Sequence, residues 1–100
     1  MLYAVLFTDN AQNAGARGRL MPEHLAFLHT HREHIQAAGP LFETSNEQSA
    51  GGLWLVEADS ADRVVQLVHE DPLWPSGLRE SFRVLQWRQV FVGEPNGSVA

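Results

Sequence analysis

The sequence has 100 residues, the size of one ordinary domain, with 44% hydrophobic residues, 19% charged residues and a formal net charge of −5 at pH 7. The seven Lys and Arg residues are scattered, which argues against a nucleic-acid surface, and the absence of cysteine excludes disulfides, zinc-thiolate sites and thiol nucleophiles. Because no apolar run approaches the roughly 20 residues of a membrane span, we expect a cytoplasmic protein that contacts neither nucleic acid nor membrane.

The first third of the chain predicts a strand, a loop and a helix. Residues 2–8 are apolar at both alternating sets of positions, which indicates a strand buried on both faces. The small and polar residues 9–18 predict a mobile loop. Helical spacing of apolar residues then runs from Pro22 to Ala38, and we expect Gly39-Pro40 to end that helix.

The rest of the chain predicts three more strands and one more helix. These elements are a short strand at 41–44, a hairpin connection at 45–52, a strand apolar on both faces at 53–56, a helix over 61–71, a turn at 72–77 and a strand at 82–92 with interleaved polar residues. Asp59 or Ser60 is expected to cap the helix. We predict a single domain over residues 1–92 and a flexible tail over 93–100.

The order strand, helix, strand, strand, helix, strand is that of the ferredoxin-like split unit, in which the first and third strands are central. Those two strands are the ones apolar on both faces, as this topology requires. We therefore predict an α+β fold with a four-stranded antiparallel sheet of order 4-1-3-2 and two helices on one face. Trp54, Phe42, Trp87 or their neighbours would line the other face, and this open sheet face predicts a homodimer.

In this topology His24 and Asp71 are expected to meet. His24 lies near the start of the first helix and Asp71 at the end of the second. In this topology both of these helix ends lie at the same end of the strands. Gly39-Pro40 and Ser60 are expected at the opposite end, about 20 Å away, and are left out of the site. A histidine paired with a carboxylate can transfer protons.

Each candidate residue also has a purely structural interpretation. His24 could hydrogen-bond a loop carbonyl, and Asp71 could be needed only because Pro72 follows it. Arg19 could clamp an anionic substrate group or simply be solvated. Trp74 could form a pocket wall beside Asp71 or pack in the core. We predict that Arg19, Pro72 and Trp74 bind the substrate.

Three further histidines are candidate metal ligands, but the residues around them argue against a metal site. His31 and His34 are three residues apart, and His29 is close by, but their neighbours form a polar, solvated helix face. A catalytic metal site needs about three protein ligands and an open position. We therefore predict that the protein binds no metal.

Several short segments, in their order and spacing, resemble the YCII-related (YciI-like) family. They are Pro22–Leu28, Ala38–Leu41, Ala58–Ser60, and Asp71–Leu73 with Gly77-Leu78. The similarity runs from residue 2 to about residue 92. It implies a fold like that of muconolactone isomerase, a dimeric α+β barrel. It also implies a catalytic pair formed by a histidine in the first helix and the aspartate of an Asp-Pro step. These two residues match His24 and Asp71.

Two positions depart from the family pattern. The acidic-glycine step that often follows the Gly-Pro-Leu segment is replaced by Phe42–Ser45. The arginine usual before the first helix could be Arg17 or Arg19. A few members of the family act on chlorinated hydroxyquinones, and the departures bear on substrate identity more than on fold.

The sequence thus predicts a cofactor-independent lyase, isomerase or hydrolase-like enzyme that acts on a small organic molecule, aromatic compounds included. His24 would be the general acid or base, and Asp71 would hold its tautomer and stabilise the imidazolium. The alternative is a non-catalytic small-molecule-binding or interaction module on the same dimeric scaffold.

Overall fold

The computed structural model describes residues 1–93 and contains one antiparallel sheet with helices on one face. Its strands are β1 (Leu2–Asp9), β2 (Ile35–Phe42), β3 (Ser49–Glu57) and β4 (Arg79–Gln86). Its helices are α1 (Gly15–Arg19), α2 (Met21–Thr30) and α3 (Ala61–Glu70), and a 3₁₀ turn covers Ala11–Asn13. The strand order β2-β3-β1-β4 is the predicted order 4-1-3-2 seen from the other edge, so the ferredoxin-like α+β fold is confirmed.

The core lies between the sheet and the helices α2 and α3. Alternate residues of β1 are buried beneath the helices, and Trp54 and Val56 of β3 join them. From α3, Val64, Leu67 and Val68 complete the cluster. Ser60 caps α3 as predicted, since its hydroxyl accepts a hydrogen bond of 3.2 Å from the Arg63 N–H.

The predicted helix over 22–38 is wrong in its second half. Helix α2 ends at Thr30, and Ile35–Phe42 forms the edge strand β2. Gly39-Pro40 therefore lies within a strand and does not stop a helix. An edge strand tolerates proline because one side of its backbone has no ladder partner, and pairing with β3 outweighs the weak helical pattern.

Other predicted boundaries also change. The expected loop over 9–18 contains the 3₁₀ turn and α1, so the structure has three α-helices where two were predicted. Helix α1 forms because it packs on the 71–78 turn, where Ala16 meets Leu73 and Leu78. Strand β4 ends at Gln86, and not at residue 92. Gln86 pairs with Tyr3, next to the first residue of β1, so β1 has no residues left to pair with a longer β4.

One predicted member of the open sheet face is misplaced. Trp54 is 2% exposed and lies on the helix side of the sheet, in edge-to-face contact with Phe7. Phe42 and Trp87 are exposed. The open sheet face carries instead the residues Leu2, Ala4, Leu6, Leu53, Leu55 and Leu85, as the strand register requires.

The predicted tail over 93–100 lies outside the described residues except for Gly93. Within residues 1–93, no helix is both long enough and apolar enough to span a bilayer.

Gly51 in β3 should tolerate no side chain. Its φ is +92°, and a Cβ atom there would lie 1.9 Å from the Phe7 carbonyl oxygen. We expect Gly51→Ala to lower the free energy of unfolding by about 2–4 kcal/mol, from left-handed strain together with overpacking. Urea unfolding would measure it, with Gly18→Ala as the control, because a Cβ atom at Gly18 meets no atom within 4 Å. Equal stabilities of the two variants would contradict the prediction.

Candidate active site

Asp71 is held by the turn that follows helix α3. The following Pro72 disfavours helical backbone at Asp71, whose ψ of 132° is extended. Its side chain then turns back to accept a hydrogen bond from the Leu73 N–H, at 3.0 Å to Oδ1. The residue is fully buried, so the Asp-Pro step fixes a carboxylate inside the protein.

His24 reaches this carboxylate from the first turn of α2. Its Nδ1 lies 3.0 Å from each Asp71 carboxylate oxygen, and the residue is 6% exposed. The topology thus brings together the two residues that the sequence analysis paired, although they are 47 positions apart.

A third residue, Arg79, completes the cluster. It is the first residue of β4, is 6% exposed, and places Nη1 2.8 Å from Asp71 Oδ2. Its guanidinium carbon lies 4.0 Å from the centroid of the Phe7 ring and 5.1 Å from that of the Trp54 ring. Stacking and ion pairing together hold the guanidinium in place.

The electrostatics of the cluster set the protonation of Asp71. Burial by itself raises the pKa of Asp71, but the hydrogen bond from His24, the charge of Arg79 and the Leu73 N–H outweigh it, so the pKa lies below the ordinary aspartate value. Burial lowers the pKa of Arg79 from its ordinary value, while Asp71 opposes that shift. Asp71 is therefore ionised at neutral pH and can only accept, so His24 Nδ1 must donate.

A cavity of about 110 Å³, open on one side, lies between α2 and the sheet. It is lined by Phe7, Arg17, Met21, His24, Leu25, Leu28, Ala38, Gly39, Pro40, Gly52, Leu53, Trp54 and Arg79. Its size is close to that of a roughly 150 Å³ cavity that binds benzene. Because Nδ1 of His24 is bound to Asp71, Nε2 is the ring nitrogen left for a molecule in the cavity.

The structure changes the predicted surroundings of the pair. Gly39-Pro40 was left out of the site but lines the cavity, because β2 runs past α2 as a strand. Arg19, Pro72 and Trp74 are not among the lining residues. Arg19 is exposed, and Trp74 packs against His69 and Phe82.

Two other arginines, Arg17 and Arg79, line the cavity where Arg19 was predicted to bind the substrate. Of the two arginines left open for the segment before the first helix, Arg17 lines the cavity and Arg19 does not. Arg79 was missed, because in the sequence it reads as a polar residue before an edge strand. Its position directly after the 72–77 turn could have indicated a place in the site, because the predicted topology puts that position beside Asp71.

The histidines at the end of α2 serve local contacts. His31 stacks on Phe27, with 4.6 Å between ring centroids, and His34 Nδ1 lies 3.0 Å from the Glu57 carbonyl oxygen. Over residues 1–93 there is no group of three or more metal-ligating side chains.

Comparison with known proteins identifies the family and a solved structure with a similar fold. The chain is similar to 5-chloro-2-hydroxyhydroquinone dehydrochlorinase from Burkholderia phenoliruptrix AC1100, whose structure was solved in complex with 2,5-dihydroxybenzoquinone. The identity is 28% and the TM-score 0.75, over 88% of this chain and 94% of that one. No curated protein matches the sequence significantly. The model of the YCII-related domain matches residues 1–88, and the chain therefore belongs to the YCII-related family.

Proposed function

We propose that the protein is a cofactor-independent enzyme that performs general acid–base chemistry on a small organic molecule, with His24 and Asp71 as the catalytic pair. The observation that carries the proposal is the 3.0 Å contact between His24 Nδ1 and the buried Asp71 carboxylate at the wall of the cavity. A dehydrochlorinase with the same fold supports action on a small molecule.

The chemistry follows from the protonation states. Asp71 accepts a hydrogen bond from the Nδ1–H of His24 and so fixes the neutral tautomer in which Nε2 carries the lone pair. Nε2 then removes a proton from the substrate, and the ionised Asp71 stabilises the resulting imidazolium. The same nitrogen returns the proton to the product or to solvent. Each step uses only this chain and its substrate, so the proposal requires no metal or organic cofactor.

The first compound to test is 5-chloro-2-hydroxyhydroquinone, because the similar enzyme is named for its dehydrochlorination. Loss of HCl removes two hydroxyl protons, places one of them on the carbon that bears chlorine, and releases chloride with the carbon–chlorine bonding electrons while the other goes to a base. The reaction therefore needs a group that both accepts and donates a proton, a task that suits His24. Chloride release should be followed with purified protein before and after prolonged chelation. Other compounds of one ring with an acidic proton extend the panel.

The assay separates the proposal from its rival. Turnover that survives chelation and disappears in His24→Asn supports the enzyme. Compounds that bind in the cavity but are recovered unchanged across the panel would favour a non-catalytic binding module on the same scaffold. The proposal also keeps the cytoplasm as the location, which cell fractionation would test.

The open sheet face leads us to propose a homodimer as part of the same function. The sheet carries its helices on one side, while Leu6 pairs with Leu53, and Ala4 with Leu55 and Leu85, on the other. Leu85 is 39% exposed although it is apolar. A second copy would cover this face and bury apolar area from both chains.

Replacing Leu85 with glutamate should therefore convert a dimer to a monomer. A charge within an apolar contact is costly to bury, and sedimentation velocity at micromolar concentration would show the change. Gln66→Glu, on the exposed side of α3, adds the same charge away from this face and should leave the dimer intact. A wild-type protein that sediments as a monomer would refute the proposal.

A further inference from the structure

The ionisable side chains that line the cavity are all of one kind. Among the residues that line it, three have ionisable side chains, and all three are basic: Arg17, His24 and Arg79. Their carboxylate partners, Asp9 and Asp71, do not line it. A molecule in the cavity therefore meets these basic side chains and not the carboxylates.

Arg79 has donors left for such a molecule. A guanidinium has five N–H groups in a planar fork, and the contact to Asp71 uses Nη1. Between residues 1 and 93, the only fully enclosed side-chain nitrogen or oxygen without a hydrogen-bond partner is Asp9 Oδ1. The remaining Arg79 donors are thus not sealed in the core, and the cavity is the space that Arg79 lines.

Arg17 supplies the second cation at the same cavity. Its Nη2 lies 2.6 Å from Asp9 Oδ2, which anchors the side chain while leaving about a quarter of it exposed. Both guanidiniums are therefore held in place before any ligand arrives, and apart from His24 no other lining residue has an ionisable side chain. Held guanidiniums in apolar surroundings match a carboxylate or another planar oxyanion.

We infer that the cavity selects small ligands that carry a negative charge, with the anionic oxygen bound by Arg79 and Arg17 and the apolar part lying between α2 and the sheet. The inference rests on the proposed function in using the same cavity, and it names the substrate class: planar organic anions. The His24 Nε2 would then face an anion whose charge is already neutralised by the two arginines.

The test compares benzoate with benzamide, which differ in charge and little in shape. Calorimetric titration at pH 7 should give a dissociation constant for benzoate that is lower by about tenfold or more, the factor expected for one charge-assisted hydrogen bond. Equal affinities, or tighter binding of benzamide, would overturn the inference.

Variants locate the source of the preference. Arg17→Gln should reduce the benzoate-to-benzamide ratio, whereas Arg19→Gln removes the same charge two positions away, outside the cavity, and should preserve it. For Arg79, the double replacement Asp71→Asn with Arg79→Gln removes both charges of the buried pair and should also reduce the ratio. Equal losses from Arg17→Gln and Arg19→Gln would show only a general charge effect and would refute a binding role.

His24→Asn separates this inference from the proposed catalysis. The variant should keep the preference for benzoate because both arginines remain, even though it lacks the proposed base. If the preference disappears in His24→Asn but survives Arg17→Gln, then an imidazolium, and not the arginines, holds the anion, and the inference is wrong. Loss of turnover with an intact preference would leave the substrate class standing while testing the catalytic pair alone.

Discussion

Replacing His24 with asparagine should lower kcat/KM for a turned-over substrate by about 100- to 10,000-fold, the range that general acid–base catalysis usually supplies. Asparagine has no group that can accept a proton at Nε2, although it can still donate a hydrogen bond to Asp71. Because Arg17 and Arg79 remain, KM should change less than kcat. Steady-state kinetics of chloride release, or of whichever reaction the substrate panel identifies, would measure the effect.

The matched control is His29→Asn, on the same helix but exposed and outside the cavity. It should leave kcat and KM unchanged. Asp71→Asn should lower kcat as well, since the Nε2 lone pair then loses the group that fixes its tautomer. Because the two side chains act as a unit, the double variant should be little slower than the slower single variant. Full activity in His24→Asn would end the proposed mechanism.

The meeting of His24 and Asp71 could be predicted because it depends on topology and not on side-chain detail. Once two strands are recognised as apolar on both faces and the element order is known, each helix end is assigned to one of the two ends of the strands. The start of α2 and the end of α3 then lie at the same end of the strands whatever the lengths of the loops. An error of eight residues in the end of the first helix left this result unchanged.

Strand β2 could not be predicted in the same way, because its local sequence carries the opposite signal. Ala37, Ala38, Gly39 and Pro40 have weak or negative strand preferences, and Gly-Pro usually marks a helix end. The strand forms because β3 offers it a hydrogen-bonded partner along its length. That pairing is a tertiary effect, and it is what brings Gly39-Pro40 to the cavity.

Arg79 shows the other limit of the sequence. An arginine at the start of a polar strand suggests a solvated side chain, and burial of its charge depends on Asp71, Phe7 and Trp54 arriving from three other elements. If Arg79 is not considered, Asp71 is expected to be a cleft residue whose replacement changes stability by at most about 1 kcal/mol, as is typical away from the core. With Arg79 in place, Asp71 is half of a buried ion pair.

The stability of the fold should therefore depend strongly on Asp71. Asp71→Asn is expected to lower the free energy of unfolding by about 3–5 kcal/mol, because it leaves the buried Arg79 charge uncompensated. Asparagine also has one oxygen for the three donors from His24, Leu73 and Arg79. Urea unfolding at pH 7 would measure the change. Asp62→Asn, an exposed carboxylate in the first turn of α3, is the control and should cost far less.

A double-mutant cycle with Arg79→Met tests whether the pair is the cause. Each single replacement strands a buried partner, whereas Asp71→Asn with Arg79→Met strands neither charge, so the double variant should be more stable than the sum of the single losses predicts by about 1–3 kcal/mol. Additive losses would mean that the two residues act separately.

The pH dependence gives an independent check. The pKa of Asp71 is lowered in the folded protein, so its stabilising effect is present above the ordinary aspartate pKa and is lost as the pH falls through the lower folded value. The wild type should lose stability below about pH 4, and the double variant should lose less over the same range because it lacks the titrating carboxylate.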